Sequence, residues 1–348
     1  MTDLETHYEA AVERRGYDPV DGPIGDLSAS TCRHRFAFVG DADALAAATP
    51  AETLVSVGIS PTGAPHVGTL GQVRSAVDLQ RAGFDVRLTV ADQVVYNAGG
   101  GDAATLRERA ERYRAFALER GFDPERGRVV VQSEAADALR AATRLARRYD
   151  PDAGGDRWDE RTAFEADLAA AYEAVESGGG DATAFSESLC GLLMAADNVA
   201  PLTDEFRAGY DRVLLSLGAD NVGMARRFDD LRAAAGVDGR VVGLFSRLVP
   251  GVDGTPKMSK SIPGSGIRLD APPERVRDRV TDPALDDGDA AESVVFGMVR
   301  LASPYDGDEL DELRDARAAG DDRWRDAVRE YADHLANAAE AWRCTGRA

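Results

Sequence analysis

Short β-prone runs alternate with longer amphipathic stretches between residues 53 and 131, and this alternation restricts the fold more tightly than any other feature. Thr53-Leu54-Val55-Ser56-Val57-Gly58-Ile59, Phe84–Val90 and Arg128-Val129-Val130-Val131 are apolar and strand-length, bounded by turn-forming residues. Leu70–Gly83, closed by its glycine, and Ala103–Glu119 read as the helices between them. Strand character returns at Arg212–Leu217 and Arg240–Phe245. Such alternation predicts βαβ units, hence an α/β protein with a Rossmann-like doubly wound parallel sheet. Residues 1–50 read as an N-terminal extension, with a helix around Leu4–Arg15 and a polar turn at Asp18–Gly25. The α/β domain spans 51–265, with a helical insertion at about 134–200 broken by Gly/Asp-rich loops at 150–156 and 178–181. Beyond Pro263 only helices are expected (Pro272–Val280, Ala290–Leu301, Gly307–Ala319 and Arg325–Glu340), making 266–348 a smaller helical C-terminal domain.

Composition narrows the class of protein. Cys32, Cys190 and Cys344 are far apart with no CxxC, which excludes a disulfide framework or a cysteine zinc cluster, and no metal site of the chain's own is expected. No apolar run approaches the ~18 residues of a membrane span, and Met1-Thr2-Asp3-Leu4-Glu5 lacks the basic and apolar regions of a signal peptide. A cytoplasmic protein with no membrane partner is expected. The formal net charge is −20, and of 41 basic residues only Lys257 and Lys260 are lysines. An acidic, Arg-rich, Lys-poor chain suggests a halophilic source with a very salty cytoplasm. There the Debye length shrinks to ~3 Å and dense surface carboxylates repel one another little. The charge is then a solvated surface, and a basic patch for nucleic acid need only be local.

Two segments carry chemistry. The first strand ends in Ser60-Pro61-Thr62-Gly63-Ala64-Pro65-His66-Val67-Gly68-Thr69-Leu70. At the carboxyl end of a strand in a doubly wound sheet, a helix N-terminus presents free N–H groups to phosphates. His66 would add an imidazole N–H, and Gly63 and Gly68 would let the backbone approach a ligand. Neither GxxxxGK[ST] nor GxGxxG occurs there, so a P-loop or dinucleotide fingerprint does not explain the segment. The second segment, Pro250-Gly251-Val252-Asp253-Gly254-Thr255-Pro256-Lys257-Met258-Ser259-Lys260-Ser261, reads as a mobile glycine-rich loop holding both lysines. Arginine replaced lysine everywhere else. Chemistry that needs a compact ammonium on a flexible stem, as a point-charge phosphate binder, explains the two exceptions.

With these residues in place the chain resembles the class I aminoacyl-tRNA synthetases, and within them the tryptophanyl/tyrosyl subgroup, over roughly residues 30–345. His66-Val67-Gly68-Thr69 is similar to that family's first signature and Lys257-Met258-Ser259-Lys260-Ser261 to its second. Met194-Ala195-Ala196-Asp197 resembles the helix that carries a side-chain-recognising Asp, and Gly218-Ala219-Asp220-Asn221 the Gly-x-Asp-Gln motif that holds the ATP ribose. Pro250–Gly254, Ile262–Ile267 and Val294–Pro304 extend the likeness to tryptophanyl members.

The resemblance implies attack of an amino-acid carboxylate on the α-phosphate of ATP, then transfer to tRNA. It implies ATP with its bound Mg²⁺ as cofactor, tryptophan as amino acid, tRNA rather than DNA as nucleic-acid partner, and a homodimer. His66, Thr69, Lys257 and Lys260 become the catalytic set. Gly58, Gly68, Gly218, Asp220, Met258 and Ser259 become ATP contacts, and Asp197 and Asn221 amino-acid contacts. Three departures stand out: Thr69 replaces the signature's second His, Asn221 replaces Gln, and the C-terminal domain is short and acidic. The short C-terminal domain and Asn221 keep open an adenylate-forming paralogue that does not use tRNA; Asp197 could equally accept a tyrosine hydroxyl, which keeps open a tyrosine-specific enzyme; and the two intact lysines argue against the remaining alternative, an inactive regulatory relative.

Overall fold

The computed structural model of the protein describes residues 4–152, 161–175, 182–203, 206, 209–290 and 293–345. The loop expected at 178–181 and most of that at 150–156 lie outside the described residues. Parallel strands β2 (Thr53–Ile59), β3 (Asp85–Val90), β4 (Gly127–Val131), β5 (Arg212–Gly218) and β6 (Arg240–Ser246) make up five sixths of one sheet. The sixth strand, β1 (Phe36–Val39), lies antiparallel against β6 at one edge, so the order is β1-β6-β5-β2-β3-β4. Central β2 is flanked on both sides, with Val57 opposite Leu88 of β3 and Ser216 of β5. Leu54 and Ser56 on one face and Val55, Val57 and Ile59 on the other are all buried, so both faces are covered, which accounts for its near-continuous apolar run. From β2 the chain winds outward through β3 and β4, then crosses back to β5. Adjacent β2 and β5 thus wind in opposite directions, and their carboxyl ends bound the crevice where doubly wound sheets bind ligands.

Two helical layers cover the sheet. On one face lie α2 (Ala29–Arg35), α4 (Val67–Arg81), α6 (Ala103–Glu119), α11 (Pro273–Val280), α12 (Val294–Ala302), α13 (Gly307–Ala319) and α14 (Asp322–Cys344). The other face carries α1 (Leu4–Arg15), α7 (Ala136–Leu145), α8 (Ala163–Glu173), α9 (Ala184–Val199) and α10 (Met224–Ala234). Short α3 (Ala42–Ala46) and α5 (Asp92–Asn97) complete the set. The C-terminal helices share one apolar core with β2 and β3, in which Trp342 packs 4.9 Å from Tyr113 and 5.7 Å from Phe116 between ring centroids. At Gly71 a Cβ would stand 2.6 Å from Leu301 Cγ, so the glycine sets how closely α4 and α12 approach. Among the described residues no helix is long and apolar enough to cross a membrane.

Several expectations change. Residues 1–50, expected to be an extension, supply α2 and edge strand β1, so the sheet is not wholly parallel. The helix expected from Leu70 begins at Val67, because His66 caps it. The helix expected at 290–301 runs Val294–Ala302 behind the Ser293 cap, and that expected at 325–340 extends to Asp322–Cys344. The lysine loop, expected to be mobile, is docked. Met258 and Ile262 are buried, and Met258 N–H donates to Val249 O at 2.8 Å.

Candidate active site

β2 ends at Ile59, and two side chains of α6 hold the turn that follows: Arg109 donates to Pro61 O at 2.8 Å and the Tyr113 hydroxyl to Gly63 O at 2.9 Å. The chain re-enters a helix at His66, whose Nδ1 accepts the Thr69 N–H at 3.3 Å. A nitrogen that accepts cannot carry the proton, so the neutral ring is the Nε2–H tautomer and Nε2 is a donor. Burial, then the nearby Lys260 and Lys257 charges, press the His66 pKa down to about 3, which keeps the ring neutral at physiological pH. Gly68 permits this geometry. A Cβ there would stand 2.6 Å from His66 Cε1 and 3.0 Å from Nδ1. The glycine thus makes room for the imidazole.

The lysine loop reaches the same place. Ser265, fully buried, ties its two arms: its hydroxyl accepts the Ser259 N–H at 2.9 Å and lies 3.0 Å from Ser259 O. Beyond it Arg268 bridges antiparallel to His66, and Leu269 N–H donates to Pro65 O at 2.8 Å. Backbone pairing thus joins the two signature segments directly. The Lys257 ammonium is bonded to the Asp220 carboxylate and lies 6.0 Å from the Tyr172 ring centroid. Burial, the largest single influence, pulls the Lys257 pKa down, but the Asp220 charge, Tyr172 and the hydrogen bonds to both together outweigh it and the net shift is upward. Among the described residues no carboxylate is bonded to Lys260. Its ammonium donates to Ser60 O, 5.4 Å from the Tyr113 ring centroid, and burial, then Arg109 and Lys257, depress its pKa to about 7. An approaching phosphate would restore its charge.

Asp197 lies near the end of α9, which stops at Val199 just before Pro201. Gln132 Nε2 donates to its Oδ2 at 2.6 Å, while Arg87, held chiefly by Asp137, stays 3.9 Å from its Oδ1. Among the described residues, the buried Oδ1 has no hydrogen-bond partner. Burial raises the Asp197 pKa to about 6, against the opposing pull of Arg87 and Gln132. A buried acceptor without a partner is costly, on the order of 1–3 kcal/mol, so the position is suited to a ligand donor.

One cavity of about 390 Å³ at the carboxyl ends of β2 and β5 is lined by every candidate from the sequence: His66, Thr69, Lys257, Lys260, Gly58, Gly68, Gly218, Asp220, Met258, Ser259, Asp197 and Asn221. Residues up to 202 positions apart meet there. At Gly58 a Cβ would meet nothing within 4 Å, so that stretch of β2 is open to the cavity. Asn221 turns back on its own motif, with Nδ2 3.4 Å from Gly218 O. Asp220 is engaged by Lys257 rather than standing free for a ribose. Sequence reading missed Gln132, Tyr172, Arg109 and Tyr113, none of which belongs to a recognisable motif. It also missed His7, whose Nε2 is bonded to Ala219 O at 2.9 Å beside Asp220. Among the described residues no group of three His, Cys, Asp or Glu side chains is arranged to hold a metal ion.

Comparison with known proteins places the chain in a family. Residues 50–303 match the family model of tRNA synthetases class I (W and Y). A tryptophan–tRNA ligase of Aeropyrum pernix is 29% identical over 230 residues, which is 65% of this chain and 56% of that relative. The chain thus spans little more than half the length of this curated relative. The tryptophan-bound structure of a tryptophanyl-tRNA synthetase from Encephalitozoon cuniculi matches with a TM-score of 0.71 at 16% identity, covering 98% of this chain and 94% of its own. The tyrosine complex of a tyrosyl-tRNA synthetase from Archaeoglobus fulgidus matches with a TM-score of 0.64 at 19% identity, covering 98% and 99%. At these identities the two structures speak to the fold alone.

Proposed function

The chain belongs to the tRNA synthetases of class I (W and Y), and from that premise we propose that it activates tryptophan with ATP and transfers it to tRNA. The amino-acid carboxylate attacks the α-phosphorus, the bond to the bridging oxygen breaks, and pyrophosphate leaves with the electron pair. Catalysis of this step is positioning plus charge stabilisation, with no protein nucleophile. His66 Nε2–H and Thr69 would donate to phosphate oxygens. Lys260 and, after exchanging Asp220 for phosphate, Lys257 would offset the growing negative charge. Loss of one such donor costs about 3 kcal/mol, or roughly 100-fold in rate. Thr69 offers a hydroxyl where the family signature has an imidazole, so the two chemistries differ in reach rather than in kind.

The observation that carries the reading is the unpartnered Asp197 Oδ1, a buried acceptor in the same cavity as the imidazole and both ammonium groups. An indole N–H would satisfy it, and a site built for such a bond rejects analogues that lack the donor. ATP–pyrophosphate exchange across the twenty amino acids in concentrated KCl tests this. Tryptophan alone should support exchange and then charge tRNA. Exchange with no amino acid would defeat the reading. A phenolic O–H would satisfy the same oxygen, which makes tyrosine the second reading, and exchange with tyrosine alone would select it. By family we also infer a homodimer, to be measured by light scattering in the same buffer.

A further inference from the structure

Of the unpartnered buried polar atoms on the described residues, three line the cavity: Thr89 Oγ1, Asp197 Oδ1 and Asn198 Oδ1. Their residues are 3%, 5% and 6% exposed. All three belong to one wall. Asp197 and Asn198 are consecutive in α9, and Thr89 leaves the same face of β3 as Arg87, whose guanidinium is 3.9 Å from Asp197 Oδ1. The protein groups around them are already engaged. Gln132 accepts the Val94 N–H at 3.0 Å through Oε1 and donates to Asp197 Oδ2 through Nε2. Arg87 is bonded to Asp137. Asn198 Nδ2 donates to Met194 O at 2.8 Å, and this bond fixes which end of the amide is the free acceptor.

An indole has one donor and satisfies one of these atoms. An acceptor then remains, Asn198 Oδ1, beside a hydroxyl, Thr89 Oγ1, that can both donate and accept. A single hydroxyl on the ligand completes both, donating to the amide oxygen and accepting from the threonine. Buried polar groups left unpaired are costly, so a site that holds them selects the ligand that pairs them.

We propose that Thr89 and Asn198 select an aromatic amino acid with a ring hydroxyl beyond the donor taken by Asp197, so that a hydroxylated tryptophan is a better substrate than tryptophan. The inference rests on the amino-acid-activating reading above and deepens it. With tyrosine as the parent, the same two atoms select a second phenolic hydroxyl. The substrate's α-ammonium is the competing occupant of these acceptors. Parent and hydroxylated form share that ammonium, so it produces no preference between them.

ATP–pyrophosphate exchange is measured with tryptophan and each of its ring-hydroxylated isomers, and with tyrosine and dihydroxyphenylalanine. In the wild type one hydroxylated form should exceed its parent in kcat/KM by about tenfold or more, the effect of one or two net hydrogen bonds. Thr89→Val, nearly the same in shape, should reduce that ratio to near one, and Asn198→Leu should do the same. Thr89→Ser retains a hydroxyl and should keep most of the ratio. A parent kcat/KM equal to or above that of every hydroxylated form would overturn the proposal and leave the activation reading intact. A loss in Thr89→Val that is equal for parent and hydroxylated form would also overturn it, and would assign the threonine to the α-ammonium. If no amino acid supports exchange, wild type and Thr89→Val are titrated with the hydroxytryptophans by calorimetry. Binding that is about tenfold weaker in the variant would keep the pocket assignment and defeat only the reaction. Equal binding, or none, would overturn both.

Discussion

Lys260 makes nucleotide binding depend on pH in a calculable way. Its pKa is held at about 7 by burial, then by Arg109 and Lys257, and a phosphate ligand recruits the charged form. Apparent affinity scales with the fraction already charged. That fraction is about nine tenths at pH 6 and about 3% at pH 8.5, so recharging costs about 2 kcal/mol at the higher pH, at 1.36 kcal/mol per pKa unit. The apparent Kd for ATP should therefore rise roughly 30-fold between pH 6 and 8.5, with uptake of close to one proton at the upper end. Calorimetry in two buffers of different ionisation enthalpy reads both quantities. The phosphates of ATP titrate as well, and Lys260→Arg supplies the reference, because guanidinium stays charged throughout. The ratio of the two profiles isolates the lysine. A ratio that stays flat from pH 6 to 8.5, or proton uptake equal in the two proteins, would refute the reasoning.

Other perturbations follow from the same geometry. Gly68→Ala would push a methyl to 2.6 Å from the His66 ring, and adenylate formation should drop roughly 100-fold while the fold persists by circular dichroism; a wild-type rate would show that the ring position is unimportant. Asp197, with its carboxyl raised by burial to about 6 from an unfolded value of 3.8, binds more protons folded than unfolded across that interval. Its contribution to stability is present below the unfolded value and disappears as pH rises through about 6, so denaturant midpoints should fall across that window and Asp197→Asn should remove its share of the slope. Gly71→Ala overpacks Leu301 and should destabilise by about 1–3 kcal/mol, seen as a lower urea midpoint at unchanged m-value.

The central strands were legible because burial on both faces favours near-continuous β-branched and aliphatic runs, as in Val213–Leu215. Strand β1 was not: Phe36–Val39 is four residues long, lacks alternation, and is a strand only through its pairing with β6. The start of α4 was misplaced by three residues because His66 and Gly68 discourage a helix locally. Only the folded imidazole, accepting from Thr69, shows that His66 is the cap. The lysine loop stood out in composition, yet its docking depends on Ser265 and on the Arg268 bridge to His66, neither of which has a pattern to read. Gln132, Arg109 and Tyr113 are ordinary polar positions until α6 and the segment after β4 bring them to the cavity.

What the chain's letters determined unaided was local: which stretches extend and which coil, and that two ammonium groups, one imidazole and a late-helix carboxylate were the groups worth following. Those properties depend on neighbours a few residues apart, and period and composition record them. Only the tertiary structure decided that Lys257 faces Asp220 while Lys260 faces arginines, and that Asp197 keeps one oxygen unpartnered. Charge state and partner depend on burial and on distances between segments far apart in the chain, and a one-dimensional pattern carries neither.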